Sequence, residues 1–429
     1  MSFIESARTR AFRSSLCRKV GSVLLLAVLV HTEPAAAQEL KLLPGVAERV
    51  APSSEDRGVT LGGGQVDPKL DLSTGYDDNI LATETNTLRD ARFQIDPSLG
   101  YRRKGSSYSV STGAFLSSRL YTEETSQDNL DWGVGGLGEL NVIPKTDLRA
   151  MVGYQYLTDP RGGINPPVEA PTTSQYGLIQ SSVTGDYTLG DFEFSLGANI
   201  QIYDYNSANQ KYRNREVYSL TGQIAYTFLT DYSVFVRATN TKTDFNNLSA
   251  PLPPPAVPGT QVSQDNDGER FAVGFASRVT DTISGEAYVG YLVQRYNSDL
   301  FEKVDGVLFH VDLKWALSAK TAVWLKGSRD VVDANTLQSG GILYSVWGIE
   351  AEHRVMEDLQ LKTGFSYYSG DYVGAPREDH GYLFFLKTDY RLSSTTSLSL
   401  HYIYDDRDSN QKGEDYTRNQ VSLGVTFQY

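Results

Sequence analysis

Residues 191–203 read DFEFSLGANIQIY. Phe192, Phe194, Leu196, Ala198, Ile200 and Ile202 alternate with Glu193, Ser195, Gly197, Asn199 and Gln201. A period of two sends these two sets to opposite faces of a β-strand. One face is bare hydrocarbon and the other is polar. The fold depends on what the hydrocarbon face meets.

The same texture runs from Lys69 to the end of the chain, and helical periodicity is hard to find. Phe93, Ile95, Leu99 and Tyr101 alternate, as do Tyr232, Val234 and Val236, then Phe271, Val273 and Phe275, and Tyr382, Phe384 and Leu386. The connections alternate too. Short ones fall at 103–106, 144–146, 189–191, 229–231, 279–281, 318–320, 356–358 and 393–395. Between them lie longer polar loops, roughly at 78–90, 121–129, 157–174, 204–214, 244–268, 296–305, 330–340, 369–379 and 405–416. Eight short turns and nine long loops imply about 18 strands, in a range of 16–20.

A β-sandwich has no reason to gather its long loops at one end. A transmembrane barrel has one, because its short turns face the periplasm and its long loops face outside. Strands of ten or more residues cross a bilayer when tilted. The expected fold is therefore all-β, a transmembrane antiparallel up-and-down β-barrel over residues 68–429. An even strand number puts both chain ends on the periplasmic side.

The start of the chain agrees. Arg8, Arg10, Arg13, Arg18 and Lys19 precede the apolar run GSVLLLAVLV at 21–30, and Ala35-Ala36-Ala37 follows. This reads as a secretory signal peptide over 1–37, too short in its apolar core to span a bilayer. Residues 38–67, rich in Glu, Pro, Gly and Ser, read as a flexible periplasmic linker. Gly62-Gly63-Gly64 lacks the Lys-Ser/Thr of a phosphate loop. The only Cys, Cys17, lies in the signal segment, so the mature chain has no disulfide to hold it together. Without residues 1–37, 34 basic and 50 acidic residues remain, a net charge of −16. No basic stripe survives, which speaks against nucleic acid as a partner.

With the apolar positions facing outer-membrane lipid, the intervening charges face a water-filled lumen, since they are costly against lipid. The candidate pore-lining residues are Glu139, Arg149, Glu193, Arg237, Arg278, Glu286, Asp312, Lys314, Lys326, Glu350, Glu352, Lys362, Lys387, Asp389 and Arg391. Their near balance of sign suits weak selectivity or a neutral sugar. Tyr76, Tyr101, Tyr121, Tyr187, Trp315, Tyr390, Tyr402 and Tyr404 near strand ends fit aromatic girdles at the two interfaces. The stiff PLPPPAVPG at 251–259 marks loop 244–268 as a possible inward constriction, with an exposed loop as the alternative. No plug domain precedes the first strand.

Catalytic and metal groupings are weak. Ser399 and His401 share a strand face but lie about 7 Å apart, too far for a nucleophile and its base. The His residues lack metal spacing such as HExxH. The acidic runs Asp405-Asp406-Arg407-Asp408 and Asp330 with Asp333 lack the ligand order of a Ca²⁺ loop. Neither a cofactor nor a metal site is expected.

The first strand, LDLSTGYDDNI at 70–80, resembles the start of the outer-membrane β-barrel porins of proteobacteria known as the second putative β-barrel porin family. ANIQIYDYN (198–206) and YIYDDRDSNQ (402–411) repeat its aromatic-then-acidic style. The resemblance covers 68–429 in texture and short motifs in letters. It implies an outer-membrane location in a Gram-negative bacterium. Members of that family often accompany exopolysaccharide synthesis and export, which adds periplasmic polysaccharide-export proteins as partners. Three functions stay open: a passive channel for hydrophilic solutes, an exopolysaccharide conduit, and a barrel-borne enzyme or adhesin. The terminal VSLGVTFQY, 421–429, resembles the closing-strand signal read by the outer-membrane barrel assembly machinery.

N-terminal sequencing of protein extracted from outer membranes checks the processing site. The expected first residue is Gln38; a start at Met1 would contradict the signal-peptide reading.

Overall fold

A computed structural model describes residues 58–141, 143–166, 172–229, 231–246, 263–277, 282–336 and 338–429. The signal segment, most of the linker, PLPPPAVPG and Arg278 lie outside these residues. The strands in chain order are β1 (Val59–Leu61), β2 (Gly64–Asp77), β3 (Asp90–Lys104), β4 (Tyr108–Tyr121), β5 (Asn129–Leu140) and β6 (Thr146–Thr158). Then come β7 (Gln175–Leu189), β8 (Phe192–Tyr205), β9 (Arg215–Leu229), β10 (Tyr232–Phe245), β11 (Asn266–Ser277) and β12 (Ile283–Tyr296). The last are β13 (Val304–Ser318), β14 (Thr321–Asp333), β15 (Gly341–Met356), β16 (Leu359–Tyr372), β17 (Glu378–Arg391), β18 (Thr396–Ser409) and β19 (Tyr416–Gln428).

From β2 to β19 every strand pairs antiparallel with its chain neighbours, and β19 closes onto β2 from Gln420↔Asp77 to Gln428↔Lys69. The result is the expected closed 18-stranded barrel, in which the strand ends that short connections join gather at one end and those that long connections join gather at the other. Closure is what the composition demands. With no edge left, each ladder N–H and C=O has a partner inside the wall.

The apolar positions stand on the outer face. Phe194, Leu196, Leu220, Ile224, Val234 and Val273 are all exposed there, as a lipid-facing band requires. Tyr76, Tyr187, Trp315 and Tyr390 are exposed among them near the strand ends. Tyr121 differs from the girdle expectation. Its neighbour Leu120 is exposed while Tyr121 is buried, because one residue of shift turns the side chain to the inner face.

The linker boundary at residue 67 also shifts. β1 folds back on β2, with Val59↔Val66 and Leu61↔Gly64 in register. Gly62 and Gly63 make the turn, at φ +59° and +78°, a conformation that favours glycine. The physical reason lies in the closing seam. β19 stops opposite Lys69, and β1 covers the part of the β2 edge that β19 leaves unpaired.

Removing Val421–Tyr429 takes away most of β19 and opens β18 and β2 to lipid. The expected outcome is loss of the heat-modifiable folded band on unboiled gels. A normally folded band would show that the seam is dispensable.

Candidate functional site

Strands far apart in the wall touch only through the interior, and such contacts cluster at the long-loop end. Loop β6–β7 carries DPRGGINPP, residues 159–167. Its Gly163 N–H donates to the Tyr416 hydroxyl at 2.8 Å, and Arg407 donates to the Gly163 carbonyl at 2.8 Å. The Tyr372 hydroxyl donates to the Ile164 carbonyl. Tyr416, Arg407 and Tyr372 belong to β19, β18 and β16, so the loop crosses the mouth. Gly162 permits this crossing: a Cβ there would stand 2.8 Å from both Asp405 Oδ2 and the Tyr416 oxygen. Ile164 is buried against Ala334, Ile342, Tyr368 and Tyr372.

The β14–β15 hairpin meets it from another side. β13 and β14 stay paired only as far as Phe309↔Arg329. Beyond that point the hairpin leans inward, and Val331 and Leu343 pack on Leu292, Val304 and Leu308 of β12 and β13. Its tip is tied to the first loop. Asn165 donates to the Asp333 carbonyl at 2.9 Å, and the Asn335 backbone and side chain donate back to Asn165 at 2.8 and 2.6 Å. Tyr212 donates to the Asn335 carbonyl at 2.7 Å, and Gln264 to the carbonyls of Ala334 and Ser339 at 3.3 and 3.4 Å.

Ion pairs lock the same region. Arg213 lies 2.5 Å from Asp159 with both side chains buried. Arg377 reaches Asp379 at 2.7 Å and Glu414 at 3.0 Å, and Arg407 shares Glu414 at 3.0 Å. Burial works against the charge of Arg377, but its hydrogen bond to Asp379, with Tyr372, Asp379 and Glu414 nearby, outweighs burial and holds the guanidinium above its ordinary range. The acidic runs read from the sequence serve here: Asp405 accepts from the Tyr416 hydroxyl, while Asp330 and Asp333 pair with Arg270 and Arg215.

The predicted lining residues sit below this mouth, toward the short turns. Arg237 is held by Glu286 at 3.0 Å and by Gln223 at 2.7 Å. Glu350 takes both Lys326 at 2.7 Å and Lys362 at 3.0 Å. Arg149 approaches Glu139 at 3.6 Å, Lys387 pairs with Asp389 at 3.1 Å, and Arg391 with Asp358 at 2.9 Å. Asp312 stands in register between Glu286 and Lys326, Glu352 between Ala322 and Lys362, and Glu193 between Thr188 and Ala225. Lys314 lies 5.4 Å from the centre of the Trp324 ring.

Sign is unevenly shared around this wall. In the short-turn half of β5–β8, Glu139, Asp147, Asp186 and Glu193 stand with Arg149. Across the barrel, β13–β17 carry Lys314, Lys326, Arg354, Lys362, Lys387 and Arg391 with Asp312, Glu350, Glu352 and Asp389. One side is net acidic and the opposite side net basic. Exposure also changes with height. Leu157, Leu178 and Gln201 near the mouth are almost fully buried, whereas Lys314 is exposed and Trp324 and Phe385 are half-buried.

Comparison with known proteins identifies the family. A sequence family described as "Putative beta-barrel porin 2" matches residues 51–429. The chain belongs to that family. This porin-like channel is thus an outer-membrane protein of the Gram-negative type. No curated protein matches it. Similar solved structures include the "Copper transporter OprC", at 10% identity and TM-score 0.46, covering 87% of this chain and 82% of that one. Another is OccAB3 of Acinetobacter baumannii, at 10% identity and TM-score 0.45, covering 86% of this chain and 100% of that one. OccK5 (OpdH) of Pseudomonas aeruginosa has 10% identity and TM-score 0.44, covering 85% and 98%.

The sequence reading missed the mouth residues Asp159, Ile164, Asn165, Arg213, Asn335, Arg377 and Glu414, which it left in solvated loops. One signal was present: a lone Ile between Gly-Gly and Asn-Pro in a polar loop. The candidate constriction in loop 244–268 has its centre, 247–262, outside the described residues.

Arg407→Met removes the donor to the Gly163 carbonyl and leaves Glu414 to Arg377 alone. The expected result is new protease cleavage within 159–174 while the barrel keeps its folded migration. An unchanged digestion pattern would show that Arg407 does not hold the loop.

Proposed function

We propose that this porin is a passive channel for small hydrophilic solutes, wide and charged on the periplasmic side and narrowed outside by loop β6–β7 and the β14–β15 hairpin. The inner wall of paired, half-exposed charges carries the reading. It offers solutes water and hydrogen bonds along the lower barrel, where Arg237, Glu350, Lys362, Lys387 and Arg391 already have charged partners and so hold a passing ion less strongly. The mouth sets the flux, because its contacts are numerous and local.

A second reading is an exopolysaccharide conduit working with periplasmic export proteins. The family resemblance supports it, as does an inner wall that stays open toward the periplasm. In that reading residues 38–57 meet the partners, and the mouth opens for an outgoing chain. The closing strand serves the barrel assembly machinery in either case. An enzyme or adhesin draws on no comparable feature, since Ser399 and His401 stand opposite Gly424 and Lys387 without forming a catalytic pair.

Planar-bilayer conductance separates the two. The comparison is the full chain against a variant with 161–165 replaced by Gly-Ser. Solute diffusion predicts small steps in the full chain and several-fold larger steps in the variant. Silence in both would overturn the passive channel and favour a conduit that needs its periplasmic partners.

A further inference from the structure

The near balance of inner charge suits a neutral solute only when the charges are summed over the whole wall. Their placement does not. The acid-rich wall of β5–β8 faces the base-rich wall of β13–β17 across the lumen, so an anion is repelled by one side and drawn to the other.

On the basic wall stands Trp324. Of the four tryptophans it alone is on the inner face; Trp132, Trp315 and Trp347 are exposed on the outside. Lys314 and Lys362 place their Nζ atoms 5.4 and 5.7 Å from its ring centre. Lys362 is steadied by Glu350, and Lys314 has no ion pair among the described residues. Phe385 adds a second ring, 5.9 Å from Lys362 Nζ. It lies over Gly364, where a Cβ would come within 2.3 Å of the ring and 3.1 Å of Glu350 Cγ. Any other residue at 364 would lift Phe385 off the wall.

We infer that this cluster is a binding subsite for an acidic saccharide, the sugar ring stacking on Trp324 and its carboxylate held by Lys314 and Lys362. Aromatic faces take up the C–H surface of a pyranose, and paired ammonium groups take the charge. The free acceptor capacity of Glu350 suits a hydroxyl. Arg237 is the obvious rival for an anion, but Glu286 and Gln223 already occupy its guanidinium. A purely structural role would need the lysines only to neutralise Glu350, and Glu350 pairs with Lys326 and Lys362, not with Lys314.

The subsite rests on reading the lumen as a solute path, but it lies on the periplasmic side of the mouth and is reachable whether or not the mouth opens. Equilibrium binding therefore tests it apart from conductance. Detergent-solubilised full-length protein is titrated calorimetrically with trigalacturonate and, separately, with maltotriose. Trigalacturonate is expected to bind at one site, more tightly than maltotriose. Lys314→Gln with Lys362→Gln should weaken it about tenfold or more and leave maltotriose unchanged, whereas Trp324→Leu should weaken both. Lys314→Gln alone breaks no ion pair and guards against misfolding; a several-fold loss is expected. Failure of trigalacturonate to bind, or binding unchanged in these variants, overturns the subsite. Silent conductance with intact binding would overturn the passive channel and leave the subsite standing.

Discussion

Everything in this molecule depends on the seam between β19 and β2. A chain without disulfides that presents a hydrocarbon surface to lipid has one way to satisfy its backbone, which is to pair every strand on both sides. The seam does this between the two ends of the described chain, and β1 extends it where β19 runs out. Once the wall is closed, alternation acquires a meaning it lacks in an open sheet. Alternate positions along each strand become lipid and lumen, and the inner charges must find each other or water.

The interior divides by height because the loops do. At the long-loop end the crossing loop, the leaning hairpin and the buried arginines fill the mouth with satisfied polar contacts. At the short-turn end the turns are too small to fold inward, so the lower wall remains accessible. The same division separates two roles. In the function proposed here the mouth controls passage through contacts that can be made and broken, and the lower wall discriminates through fixed charges and rings.

Much of the barrel was legible in the chain. The period of two in stretches such as 191–203 assigned the faces, and the alternation of turn lengths assigned the ends, because strand pairing permits little else between short turns. Inner charges such as Arg237 and Glu350 were legible by the same logic. Their partners were not. Arg237 and Glu286 sit on strands separated by β11, and Lys326 and Lys362 share Glu350 from either side of β15, choices made by twist and side-chain reach. The inward path of residues 159–166 was hidden because a loop has no period to read. The unequal sharing of sign between opposite walls was hidden because a one-dimensional count adds charges that the barrel holds far apart.

The sequence by itself determined that the chain is a closed wall, and which face of each strand meets lipid. These are local properties repeated strand after strand. Tertiary structure alone decided what lies inside it: which loops cross the mouth, which arginines they bury, and which lysines gather around Trp324. Those arrangements join residues far apart in the chain, and the geometry that joins them exists only after the last strand has met the first.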